Sequence, residues 1–237
     1  GLSKFAYLYG HGKSLGLIND NLTQPVLGTP EPLELVHCEN YINDLWHNRL
    51  DEKAMRRIGL PWSKELMART FTAPLGTLQA ARLALKHGIA CHLAGGTHHA
   101  HTDFGSGYCM VNDLAFTSET LIKSGEVTNI LIFDLDVHQG DGTAAMLEHQ
   151  PYAYTCSIHC EKNFPFRKSS SDLDIGLAPN VADSEYLGVV DDTLSYLLNT
   201  LNPDLVLYDA GVDVWQQDGL GNLDISSQGI EQRDHLV

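Results

Sequence analysis

From residue 89 onward, short β-rich runs alternate with segments whose apolar residues recur at helical spacing, the pattern of a parallel sheet covered by helices on both faces. The runs predict strands over 89–94, 129–135, 152–158 and 204–208. Helices are expected over 63–87, 110–123, 142–149 and 184–201, the last with Leu187, Val190, Leu194, Leu197 and Leu201 on one stripe. Gly88 is placed to end the first of these, and Pro74 introduces a kink or a new start within it. A polar, Ser-rich loop follows over 160–182, and a final helix begins near Ser226 or Ser227. Before residue 60 the pattern is weaker, with helices around 4–18 and 39–50. No repeat or linker interrupts the chain. Its 237 residues, 43% of them hydrophobic, suffice for one core. The expected architecture over 1–237 is a single α/β domain, a three-layer α/β/α arrangement with a mostly parallel central sheet.

Charge and cysteine usage narrow the function classes. A formal charge of −15 disfavours direct nucleic-acid binding, which needs clustered Lys and Arg to displace counterions from phosphates. It could steer a cationic substrate, but it speaks equally to solubility. No apolar stretch is long enough to span a bilayer, and no signal-peptide pattern is present, so no membrane association is expected. Five irregularly spaced cysteines do not make the paired framework of a small secreted domain and point to a reducing compartment, the cytoplasm. Nothing in the sequence fixes an oligomeric state.

Ligands of open parallel sheets bind beyond the carboxyl ends of the strands, and three such positions here are rich in His and Asp. The first is Gly95-Gly96-Thr97-His98-His99-Ala100, the second runs from Asp134 through Asp136 to His138, and the third holds Asp209, Asp213 and Asp218. On an extended backbone Asp134, Asp136 and His138 point to one side, where two carboxylates and an imidazole fit a divalent cation or a solvated acidic strand end. His98 and His99 are structural histidines or a proton-transfer pair. The glycines before them allow a close approach of main chain to a ligand, and Asp134 and Asp141 are candidate carboxylate partners.

These segments resemble the histone deacetylase superfamily. Besides those already quoted, the resemblance rests on Gly105-Ser106-Gly107-Tyr108-Cys109-Met110-Val111-Asn112-Asp113, Asp134-Leu135-Asp136-Val137-His138-Gln139-Gly140-Asp141-Gly142-Thr143, Ser157-Ile158-His159, Phe164-Pro165-Phe166, Tyr208-Asp209-Ala210-Gly211-Val212-Asp213 and Asp218-Gly219-Leu220-Gly221, all in family order. His138-Gln139-Gly140 and the closing Gly229-Ile230-Glu231-Gln232-Arg233-Asp234 look most like the class IV branch and its bacterial relatives.

The resemblance implies the arginase/deacetylase fold and a zinc-dependent amidohydrolase. It implies Asp136, His138 and Asp218 as ligands of Zn2+, with Asp218 chosen over Asp213 because it directly precedes x-Leu-Gly. It makes His99 the general base and acid, oriented by Asp141, and His98, paired with Asp134, a stabiliser of charge. Gly107, Tyr108 and Phe164 would line a tunnel. K+ would be held by main-chain oxygens of Asp134, Asp136, His138, Ser157 and Ile158, with the side chains of Asp134 and Ser157. The implied substrates are an acylated lysine peptide, a polyamine or a small acetylated amine.

From residue type alone, Tyr108 and Phe164 are equally ordinary core residues. Two departures stand out. Gly219 sits where many relatives have Arg, and none of the nine tyrosines follows the glycine-run turn that presents the family's oxyanion-stabilising Tyr. With no initial Met and a last helix broken off, the expectation is a sequence incomplete at both ends. The rival readings are an arginase-like binuclear manganese hydrolase, disfavoured by His98-His99-Ala100, and a non-catalytic metal-binding interaction module. A thiolate metal site at Cys156 and Cys160 is set aside because their spacing is not that of a standard zinc pair.

Overall fold

The computed structural model describes residues 3–19 and 22–237. Strands β1 (Ile130–Asp134), β2 (Ala153–Cys160), β3 (Leu173–Leu177) and β4 (Leu205–Asp209) form one sheet in the order β3-β2-β1-β4, with every neighbouring pair parallel. Parallel strands need crossover connections, and the chain supplies α6 (Asp141–Leu147) between the neighbours β1 and β2 and α7 (Asp183–Leu201) on the path from β3 at one edge to β4 at the other. The register sets Asp134 beside both Ser157 and Asp209, so β1 and β4 end level while β2 runs on to Cys160.

Alternation along β1 builds the two outer layers. Ile130 and Ile132 pack into a core with α4 (Lys64–His87) and α5 (Asp113–Lys123), while Leu131 and Phe133 pack into another with α7 and α8 (Ser227–Leu236). All five β1 residues are buried, as a strand covered on both faces must be. Phe133→Ala is accordingly expected to cost ~3–5 kcal/mol, read from the urea midpoint, because the ring is fully buried and its loss leaves a cavity.

Several boundaries differ from the sequence pattern for local reasons. Residues 89–94 form no strand: exposed Ile89, Cys91 and Leu93 alternate with partly buried Ala90, His92 and Ala94, but among the described residues no strand pairs with the segment. Conversely, β3 lies inside the expected loop, at the sheet edge, where alternate residues face outward and the segment reads as polar. The helix through Pro74 runs as one element from its Ser63 cap to Gly88. Near the amino terminus, the two expected helices are shorter, as α1 (Ser3–Ser14) and α2 (Glu39–Trp46). Asp51 caps a separate α3 (Glu52–Ile58) by accepting from the Ala54 amide, and a 3-10 turn precedes α2 at Glu31–Leu35. Among the described residues, no helix is long and apolar enough to cross a membrane.

Candidate functional site

Beyond β1 the chain bends through Asp136, Val137 and His138, and each carboxylate braces the next step. Asp134 Oδ1 accepts from the Asp136 amide at 3.0 Å, and Asp136 Oδ1 accepts from the His138 amide at 2.8 Å. Beyond β4, the chain runs on beside this segment in the same direction. The Leu135 amide donates to the Asp209 carbonyl at 3.0 Å, and the Val137 amide donates to Asp213 Oδ1 at 2.9 Å. Gly211 is obligatory here, because a β-carbon would lie 2.5 Å from Asp136 Cα. From the other side, the fully buried Arg233 of α8 donates through Nη1 to the Gly211 carbonyl at 2.5 Å and through Nε to Asp234 Oδ1 at 2.9 Å. That same oxygen accepts from the Tyr208 hydroxyl at 2.6 Å.

This folding brings ligand atoms of Asp136, His138 and Asp213 within 4.8 Å of one another. His138 Nδ1 lies 2.9 Å from Asp136 Oδ1 and 3.0 Å from Asp213 Oδ2. One ring nitrogen holds at most one proton, so two carboxylates converging on it mark a place for a cation. The donor set, two carboxylates and one imidazole, fits a zinc centre with three protein ligands. Without a cation, burial pulls the His138 imidazole down, but Asp136 and Asp213 outweigh it and raise the group to about 9. Burial raises the Asp213 carboxyl, only partly offset by His138; it also raises Asp136, where His98 and His138 win and hold the carboxyl low.

The structure places Asp218, the ligand that the resemblance implies, outside this cluster. Its amide donates to the Trp215 carbonyl at 2.8 Å, turning the chain, and its Oδ1 accepts from the Leu220 and Gly221 amides at 2.8 and 3.3 Å. Among the described residues it belongs neither to this group nor to the second group of convergent ligand atoms, those of His98, Asp134 and Asp209. Asp213, the acid nearer the strand end and two residues after the close-packed Gly211, is the carboxylate that the structure sets beside His138.

The histidine pair comes from the loop after α4, clasped by Asp113 at the start of α5. The Asp113 carboxylate accepts from the Gly96 and Thr97 amides at 3.1 and 2.7 Å and from the Thr97 and Thr77 hydroxyls at 2.7 and 2.5 Å. Both expected pairs form: His98 Nδ1 is 2.8 Å from Asp134 Oδ2, and His99 Nδ1 is 2.6 Å from Asp141 Oδ1. The two rings lie 4.1 Å apart by centroids, and His99 meets His138 edge-on at 5.8 Å.

Asp209, not assigned a role from sequence, makes His98 a three-carboxylate neighbour. Its Oδ2 is buried without a hydrogen-bond partner and stands 3.5 Å from His98 Nδ1, an ion-pair distance rather than a good bond. Burial pulls the His98 imidazole down, but Asp134, Asp136 and Asp209 together carry it well above its ordinary value. Burial, then His98, lowers His99 to about 4. The Asp209 carboxyl is raised by burial and by Asp134. For Asp141, burial acts upward, but the bonds from His101 and His99 hold it at about 2.

Of the expected tunnel residues, Phe164 and Gly107 pack against His99. Phe164 meets His99 edge-on at 4.9 Å. Gly107, at φ 51°, leaves no room for a side chain, since a β-carbon would lie 2.5 Å from His99 Cδ2 and 3.0 Å from Phe164. Tyr108, at φ 65°, is 59% exposed and so is not a core residue. In the expected potassium region, Asp134 and Ser157 are register partners, Ile158 follows in β2, and Ser157 Oγ lies 3.0 Å from His159 Nδ1.

The chain is similar to known proteins over nearly its whole length. Residues 4–237 match the family model described as histone deacetylase domain. The chain is 47% identical over 237 residues to an uncharacterized protein of a Picosynechococcus species, covering all of this chain and 79% of that one. It is 28% identical over 233 residues to histone deacetylase 2 of Arabidopsis thaliana, covering 91% of this chain and 58% of the relative. The crystal structure of a homologue of such enzymes from Aquifex aeolicus superposes with a TM-score of 0.83 at 26% identity, over 95% of this chain and 66% of that one. The chain thus spans less than two thirds of the length of the latter two.

Proposed function

This chain belongs to the histone deacetylase family, and from that premise we propose that it is a zinc-dependent deacylase acting on the amide of an acylated lysine. The observation that carries the reading is the convergence of Asp136 and Asp213 on His138 Nδ1, with the His99–Asp141 pair packed beside it. Asp136, His138 and Asp213 would hold the ion. When bound, zinc supplies a Lewis acid that polarises the amide carbonyl and makes water a stronger acid.

The chain's own groups handle the protons. Asp141 engages His99 Nδ1, leaving Nε2 to take a proton from the attacking water and later deliver it to the departing amine. His98, held by Asp134 and close to Asp209, stabilises negative charge that develops on the substrate. Gly107 and Phe164 confine the space beside His99, and Tyr108 stands at its edge, a setting suited to a slender methylene chain. K+ bound near Asp134, Ser157 and Ile158 would brace the β1 and β2 ends that present the ligands. All five cysteines are free thiols, which supports the cytoplasm as the compartment.

The test uses the full-length protein loaded with zinc and a panel of acetyl-lysine peptide, long-chain acyl-lysine peptide, acetylpolyamine and small acetylated amines. Turnover of an acyl-lysine peptide, abolished by a chelator and restored by zinc, is the expected result. Two manganese ions per chain with turnover of a guanidino substrate would replace this reading with the arginase-like one.

A further inference from the structure

The Asp141 carboxylate is engaged on both oxygens. Oδ1 faces His99 Nδ1 at 2.6 Å, and Oδ2 faces the Nε2 of a second imidazole, His101, at 3.1 Å. We infer that His101 is a positioning residue for the proposed hydrolysis: by holding Oδ2 it fixes the plane of the carboxylate, and so the ring of His99.

The surroundings of His101 give it little freedom to do anything else. Its amide donates to the Phe104 carbonyl at 2.9 Å, and its carbonyl accepts from His37 Nδ1 at 2.9 Å. His37 is itself fixed, because its Nε2 accepts from the Asn112 amide at 3.0 Å. The His101 ring stacks on Phe104 at 4.3 Å with 19° between planes, and the Arg57 guanidinium lies 4.5 Å over the same phenyl ring. Backbone bonds on both sides and a stacked face therefore leave Nε2 directed at Asp141.

A carboxylate bonded only to His99 could rotate about its Cβ–Cγ bond and carry the catalytic imidazole with it. Asp141 is buried, and its side chain is only 9% exposed, so water is a poor substitute for the second donor. Since proton transfer depends steeply on the position of the accepting nitrogen, the loss should fall on the chemical step and not on substrate binding.

The inference rests on the deacylase reading and is tested with the zinc-loaded full-length protein on its best acyl-lysine peptide. His101→Phe keeps the stack on Phe104 and removes the donor, whereas His101→Gln keeps a donor near the place of Nε2. The expected result is a kcat lowered about 10–100-fold in His101→Phe, with KM and zinc affinity within about threefold of wild type. His101→Gln should recover most of kcat. Thermal melting of the metal-free proteins separates this from misfolding, since a structural role would lower the melting temperature and impair both variants alike. An unchanged kcat in His101→Phe, or equal losses in the two variants, overturns the role of His101. A wild-type protein that hydrolyses none of the acyl-lysine peptides overturns the deacylase reading itself.

Discussion

Replacing His99 by Ala is expected to lower kcat/KM for an acyl-lysine peptide by ~10²–10⁴-fold, the range for loss of a positioned general acid–base. The expectation follows from geometry. His99 Nδ1 is committed to Asp141, its ring edge meets Phe164 and His138, and no other imidazole has its second nitrogen in the same place. His98 is not a substitute, because its Nδ1 is held by Asp134 and its Nε2 stands 3.8 Å from Asp136 Oδ1. Zinc affinity, measured by competition with a chromogenic chelator, should stay close to wild type, since His99 is not in the ligand set. A loss of less than about tenfold in kcat/KM, with zinc bound, would assign the proton transfer elsewhere.

The second large effect separates two aspartates five positions apart in sequence. Asp213→Ala is expected to weaken zinc binding by more than about 100-fold, exceeding the loss typical of an outer partner because a ligand itself is removed. Asp218→Ala should leave zinc affinity nearly intact and cost only about 1 kcal/mol of stability through the turn amides that lose their acceptor. Equilibrium dialysis of both variants decides the matter. If Asp218→Ala loses the metal and Asp213→Ala keeps it, the ligand set reverts to the one read from sequence.

That contrast shows where sequence patterns stop. The His98 and His99 partners were legible because each lies at a strand or helix end, whereas the chain bends at Asp136 to His138 and so sets Asp134 beside His98 and apart from the cluster of Asp136 and His138. Choosing between Asp213 and Asp218 depends on how tightly the chain after β4 folds onto β1. That is set by the close contact of Gly211 with Asp136 and by the bond from the Val137 amide to Asp213, each joining residues distant in sequence. The Asp209 carboxylate beside His98 and the second bond to Asp141 were hidden for the same reason: each joins segments that only the register of the sheet or a loop clasp brings together. Residues 89–94 show the converse error. An apolar run suggested a strand, yet Ile89 remains exposed and Asp113 holds the following loop through single polar bonds.

The reach of Arg233 across the fold has a consequence for how the molecule opens. Its guanidinium is buried on α8 while one of its donors ends on Gly211, two residues before Asp213. Detaching the carboxyl-terminal helix would strand that charge and free the Gly211 peptide at once, so the helix and the Asp213 limb of the site open as one cooperative unit. A cation held by Asp213 would then lower the population of molecules with α8 undocked, and docking of α8 would in turn tighten the hold on the cation, each by the same factor.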